Sequence, residues 1–259
     1  MRFVNDLKKY WAYAKQSAKA DLKSEVASSY LNWLWWVLDP LLFMMVYTFI
    51  ATVVFNGREQ YFPIFVLIGL TMWNFFDKTV LGSVRIVKSN HAIVSKVYVP
   101  KFILVIQKML VNGFKMLISF VLIVLLMVAF KVPITYRVLY VIPLLIVLVV
   151  ITFALGNLML HFGVFVEDLY NVMKVVLKLT FYMTGIFFSI ASRVPAPYNQ
   201  LLLKFNPIAF VINSSRRCMI YAESPDLRLL LLWGVVGVIL SVAALNIVYK
   251  YENSYVKVI

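Results

Sequence analysis

Residues Ile86–Lys101 read IVKSNHAIVSKVYVPK, a basic, polar break between two long apolar runs. Arg85, Lys88, Lys96 and Lys101 lie in or beside it, and no acidic residue does. A short positive loop between membrane spans belongs on the cytoplasmic side. This stretch therefore fixes the expected direction of every apolar run before and after it.

The wider composition makes those runs membrane spans. Of 259 residues 63% are hydrophobic and 16% aromatic, and the mean hydropathy is +0.89, far too apolar for a soluble domain. The formal charge of +14 is scattered at the ends of apolar runs. It reads as an orientation signal and as contact with membrane lipids, not as a nucleic-acid footprint. One cysteine, Cys218, excludes an internal disulfide framework, and His91 and His161 have no metal-ligand spacing. No cleavable signal is expected, because the first long apolar run begins only near Tyr30.

The fold class expected is an all-α integral membrane protein with six transmembrane helices and both termini cytoplasmic. Residues 1–28 form a cytoplasmic amphipathic helix: Val4, Leu7, Trp11, Ala14, Ala18 and Leu22 step by three and four, with Lys8, Lys15, Lys19 and Lys23 off that stripe. Such a helix lies along the headgroups, or docks on a partner. A single transmembrane domain, 29–251, carries spans at about 30–55, 61–84, 102–130, 138–162, 175–191 and 229–249. Asn56-Gly57-Arg58 turns outside, the loop 86–101 lies inside, and Glu167-Asp168 with Lys174 marks an inner elbow. The external segment 193–228 is apolar but broken by Lys204, Asn206-Pro207 and Arg216-Arg217, which suits two short re-entrant helices. Residues 252–259 are left as a cytoplasmic tail. This topology puts fourteen Arg and Lys inside and eight outside.

Lys101, Lys108 and Lys115 repeat every seven residues, so they share one helix face with Asn112. Lys108 and Lys115 lie roughly 10 and 20 Å along the helix from Lys101. A charge at the bilayer centre costs about 3 kcal/mol, so it needs a partner or water. Either the stripe, balanced by Asp39 and Asp77, lines a cytoplasmic vestibule for an anionic head group, or the lysines snorkel to the interface. Phe43, Tyr47, Trp73, Phe76, Tyr182 and Phe187 lie nearer mid-span than the Tyr30, Trp33, Trp35 and Trp36 belt. With Lys115 they are candidates for a sugar-stacking substrate path, against the commoner fate of lipid or helix packing. No phosphate-binding loop, nucleophile elbow, zinc motif or facing carboxylate pair occurs. No enzymatic centre and no cofactor are therefore expected on this chain, and its energy source is a gradient or a second polypeptide.

The order of these features resembles the permease subunits of type-2 ATP-binding-cassette exporters, above all those moving lipid-linked polysaccharides such as O-antigen, capsule or teichoic acid. Leu31, Trp35, Leu38 and Pro40 match the first-span pattern of that family, with Asn32 where Gly is usual. Gly69, Trp73, Phe75 and Phe76 match its Gly-Leu-x-x-Trp-x-Phe-Phe, and Asn90, Ile93, Lys96 and Pro100 match its coupling element. Val166-Glu167-Asp168 stands where Phe-Arg-Asp is usual, and Asn206-Pro207 recurs before the last span. The resemblance implies a homodimer in the bacterial cytoplasmic membrane, bound to two cytosolic ATPase subunits that hold ATP and Mg. Lys88, Asn90, Ile93, Lys96, Pro100, Glu167 and Asp168 would meet the ATPase, and Leu7, Trp11, Lys15 and Lys19 would form a gate helix. The alternatives are efflux of a small drug or lipid and, from another class, a gradient-driven transporter. The latter calls for an inverted repeat, and none is visible.

Overall fold

The computed structural model describes residues 2–27, 30–54 and 59–258, and every regular element among them is helical. Helix α1 spans Arg2–Ala27. A 3-10 turn at Asn32–Leu34 leads into α2, Trp35–Phe49, which ends in a π turn at Ile50–Val54. Next come α3, Phe62–Val84, and two one-turn helices in the basic stretch, α4 (Ile86–Ser89) and α5 (His91–Val94). Helix α6 is Phe102–Ala129, and a 3-10 turn at Tyr136–Tyr140 precedes α7, Val141–Phe165. The remaining helices are α8 (Leu169–Met183), α9 (Ile190–Arg193), α10 (Tyr198–Phe205), α11 (Pro207–Met219) and α12 (Leu227–Val258).

Among the described residues five stretches are long and apolar enough to cross a membrane: Asn32–Val53, Phe62–Val84, Phe102–Ala129, Tyr136–Phe165 and Leu227–Tyr255. The chain is an all-α, multi-pass membrane protein. Helix α3 is its centre. Of its most apolar window 78% is buried, against 17–39% in the other four, and the side that carries Asn74, Asp77 and Lys78 is its less buried one. It packs on α2, α6, α7, α8 and α11, while α12 lies along α7 and α1 along α6.

Several boundaries differ from those expected. The fifth span, placed at 175–191, is instead α8, which begins at Leu169 and ends at Met183. Gly185, at φ +67°, turns the backbone into the left-handed region there and stops the helix. At 15 residues α8 is about 22 Å long, short of a hydrocarbon core of about 30 Å. Of the stretch 252–259, expected as a cytoplasmic tail, residues 252–258 continue α12, which buries Glu252 and Tyr255. On α1 the buried side runs through Phe3, Leu7, Tyr10, Ala14 and Ala18, while Val4 and Trp11 are exposed, because that side packs on α6. The expected turn at Asn56-Gly57-Arg58 lies outside the described residues.

Other local features follow their residues closely. Asn206 caps α11, its side-chain oxygen accepting from the Ile208 and Ala209 amides at 3.1 Å, and Pro207 needs no amide partner in the first turn. Asn32 adopts φ +49°, a conformation that glycine takes freely and that asparagine tolerates best among the others. Asparagine is thus a backbone-compatible replacement at that motif position.

Helices α3 and α7 meet at Gly163, where an added Cβ would run into the Val84 carbonyl. Small residues allow such close backbone approach. Gly163→Ala is expected to destabilise the detergent-solubilised protein by about 2 kcal/mol, since backbone cannot move aside as a side-chain tip can. At Gly234 a Cβ would meet only Val147 at 3.7 Å. Gly234→Ala should therefore leave thermal unfolding unchanged or raised.

Candidate translocation site and its flanking elements

The lysines of α6 do not share one vestibule. Lys101 is buried at the start of the helix and donates to the Val99 carbonyl at 3.2 Å. Burial pulls its ammonium below the usual lysine range, and nearby Glu252 opposes the shift. Lys108 borders a polar cavity of about 320 Å³ with Asp21, Ser24, Glu25, Gly82, Ser89, Asn90 and Gln107. Lys115 lines a second cavity of about 350 Å³, further along α6. Glu25 borders both cavities.

The charge partners also differ from those expected. Lys115 pairs with Glu25, in the last turn of α1. Asp39 pairs with Lys78, the next residue along from Asp77, at 3.9 Å. Among the described residues Asp77 enters no ion pair. Both observed pairs sit in the larger cavity with Asn74, Asn112, Trp35 and Trp36, and Asn112 donates to Thr79 at 2.9 Å. One wall of this cavity, Phe75 and Met116, also borders an apolar groove of about 830 Å³ between α1, α6, α7 and α12. A charged recess thus adjoins an oily one.

The six aromatic path candidates form one connected cluster, joined by a seventh ring. Phe43 stacks on Tyr47 at 6.2 Å, and Tyr47 on Phe187 at 4.0 Å. Phe181 touches Phe187, Tyr182 and Trp73 at 5.2, 5.4 and 5.6 Å, and Trp73 meets Phe76 at 5.6 Å. Phe43 and Tyr182 are exposed, and Tyr47 and Phe187 are partly so. Trp73 and Phe76 are buried behind the other rings, and Phe76 also borders a largely apolar cavity of about 640 Å³ between α3, α7, α8, α10 and α11. Phe181, the hub, escaped the sequence analysis. Its only signal there was its place one residue before Tyr182.

Arg216 holds the turn that carries Phe187. It is fully buried on α11 and donates to the carbonyls of Phe65, Gly185 and Ile186 at 2.9, 2.7 and 2.8 Å. Its guanidinium also lies 3.5 Å from the centre of the Phe65 ring. A Cβ at Gly69 would come within 2.5 Å of the guanidinium, so that motif glycine makes room for the arginine.

The coupling candidates gather at the far end of α3. Lys88, Ile93 and Lys96 are exposed, and Pro100 is buried. Asn90 donates to the Ile86 carbonyl at 2.8 Å, and its own carbonyl accepts from the Ile93 and Val94 amides at 3.0 Å. It therefore ends α4 and starts α5. Glu167 and Asp168 are exposed nearby: Arg85 lies 3.8 Å from the Tyr170 ring, and Gly163 abuts Val84. The loop and the elbow share one end of the molecule.

Of the gate-helix residues, Leu7 faces α6, whereas Trp11, Lys15 and Lys19 point outward with Lys23. The start of α1 is tied to the basic loop and to the end of α12. Arg2 bonds Glu252 and donates to Tyr98 at 2.9 Å; Tyr98 donates to Glu252 at 3.0 Å, and Tyr249 to Asp6 at 2.8 Å. The carboxylate of Glu252 holds the Arg2 guanidinium above its ordinary value. Burial pushes the Tyr98 phenol up. Among the described residues no group of three or more His, Cys, Asp or Glu gathers to hold a metal.

Arg216→Gln is expected to cost on the order of 3 kcal/mol in thermal unfolding, because buried carbonyls lose their donors. The exposed neighbour Arg217 bonds Glu223 at 2.8 Å. Arg217→Gln should change stability by less than about 0.5 kcal/mol.

No protein-family model matches the chain. Individual relatives do. It is 26% identical over 247 residues to the O-antigen export system permease protein RfbA of Myxococcus xanthus, covering 95% of each chain. Two proteins of the same name from Klebsiella pneumoniae are 25% and 24% identical over 240 residues, 92% of each chain. The likeness drawn from five scattered motifs therefore extends along nearly the whole sequence, and this chain is a relative of the permease proteins of O-antigen export systems.

Proposed function

We propose that this chain is the membrane-spanning permease subunit of an ATP-driven exporter that carries a lipid-linked polysaccharide of the O-antigen, capsule or teichoic-acid type across the bacterial cytoplasmic membrane. The observation that carries this reading is the alignment with O-antigen export permeases over 95% of both chains. In the working transporter two copies of the chain pair, each with six crossings and cytoplasmic termini, and two cytosolic ATPase subunits bind ATP and Mg. The fifth of these crossings, in chain order, is made by α8 together with the turn held by Arg216.

The roles follow from chemistry. The exposed Lys88, Ile93 and Lys96, beside Glu167 and Asp168, offer the ATPase a mixed surface of charge and apolar contact. The network of Arg2, Tyr98 and Glu252 carries a push on that loop to α1. The cavity beneath Glu25 and Lys115 receives the anionic head group of the carrier lipid, and the adjoining groove takes the first part of its chain. Phe43, Tyr47, Tyr182 and Phe187 present ring faces to sugars. Aromatic faces suit a polymer because they bind successive residues without fixing one register.

Tagged chain purified gently from its native membranes should bring with it a soluble ATPase containing a phosphate-binding loop, in equal amount. Purification of the chain alone would overturn the reading in favour of a gradient-driven transporter. Replacing Lys88 and Lys96 together by Glu should keep membrane insertion and abolish export while ATP hydrolysis continues. Export at the wild-type rate would remove the loop from the coupling role.

A further inference from the structure

Helix α1 carries its charges on two sides. Lys8, Lys9, Lys15, Lys19 and Lys23 are all exposed. Asp6, Asp21 and Glu25 instead bond to the membrane body. Asp6 accepts from Tyr249 and lies 3.6 Å from Arg2 of its own helix, and Asp21 accepts from Gln107 at 2.9 Å. Glu25 alone of the three takes a lysine of the body, Lys115.

The two members of that pair are unequally placed. The Lys115 side chain is 22% exposed and the Glu25 side chain 39%. Lys115 lies roughly 20 Å along the helix from Lys101 and needs an anion whatever its source. Glu25 sits in the last turn of α1, at the junction of the two polar cavities, and one of these reaches Ser89 and Asn90 of the basic stretch. It can withdraw toward water at small cost, provided another anion takes its place. The larger cavity is balanced as it stands, with Lys78 and Lys115 facing Asp39 and Glu25. Withdrawal of Glu25 leaves one unmatched positive charge beside two asparagines and two indoles.

We infer that Glu25 is a built-in stand-in for the head group. In the empty permease its carboxylate occupies Lys115 and latches the end of α1 to α6. The phosphate or diphosphate of a carrier lipid displaces it, takes Lys115 through charge-assisted hydrogen bonds, and so frees α1. The inference rests on the head-group site proposed above and adds a mechanism: the ligand is sensed by exchange of one anion for another, and α1 moves only when the cavity is filled.

Farnesyl diphosphate, a short isoprenoid diphosphate, serves as the probe, titrated into the permease–ATPase complex in phosphatidylcholine nanodiscs. Removing a competing internal anion raises apparent affinity by the fraction of sites it had blocked, so Glu25→Gln should bind at least about tenfold tighter than wild type. Lys115→Gln should bind at least about tenfold more weakly. Hydrogen exchange in residues 14–27 should rise on probe addition in wild type and be high from the start in Glu25→Gln. Equal affinities for wild type and Glu25→Gln, with Lys115→Gln still weak, would overturn the latch and leave the head-group site standing. Wild-type affinity in Lys115→Gln would overturn both. Inorganic diphosphate separates the two sources of the anion: binding as tight as the farnesyl ester would assign the cavity to a soluble anion and overturn the lipid-sensing role.

Discussion

Charge carried among apolar helices must be matched from within the protein, because hydrocarbon supplies no hydrogen-bond partner. Arg216 meets that demand with three backbone carbonyls, and Gly69 leaves the space in which its guanidinium lies. Lys115 meets it with Glu25, and Lys78 with Asp39. These matches do more than neutralise. Apolar packing between helices in lipid has little hydrophobic drive, so polar contacts settle which helix sits where. Arg216 joins α11 to α3 and to the turn after α8, and Glu25 joins α1 to α6.

The same demand divides the molecule into a deeply buried centre and more exposed flanks. Helix α3 is the most buried of the long apolar helices and meets α7 at a glycine too tight for a methyl group. Helix α1 is held differently, by a narrow seam of Phe3, Leu7, Tyr10, Ala14 and Ala18 and by a few polar bonds at each end. It also lies between the exposed basic loop and the charged cavity.

Much of the architecture was legible in the residues. Five of the six expected spans, at 30–55, 61–84, 102–130, 138–162 and 229–249, lie within a few residues of Asn32–Val53, Phe62–Val84, Phe102–Ala129, Tyr136–Phe165 and the first part of Leu227–Val258. Apolar length is a one-dimensional property, and a bilayer tests it directly. The Asn206-Pro207 helix start and the left-handed turn at Asn32 are likewise local. The end of α8 was misplaced because the residues after Met183 remain apolar. What stops the helix is the backbone at Gly185, fixed by an arginine thirty-one positions away.

Pairings over long separations were out of reach. The period of seven in Lys101, Lys108 and Lys115 showed that they share a face, but the partner on that face belongs to another helix, and neither Asp39 nor Asp77 supplies it. Glu25 lay within a segment whose lysines suggested only a membrane surface, and Glu252 in a stretch that looked like a tail. Phe181 joins six aromatics that the sequence could mark only one by one. The sequence alone determined that the chain is helical, that it crosses a membrane several times and which loop is basic, because those depend on local hydropathy and charge. The tertiary structure decided which charges pair, which rings meet and where α1 is held, because each of those needs two distant segments brought to one place.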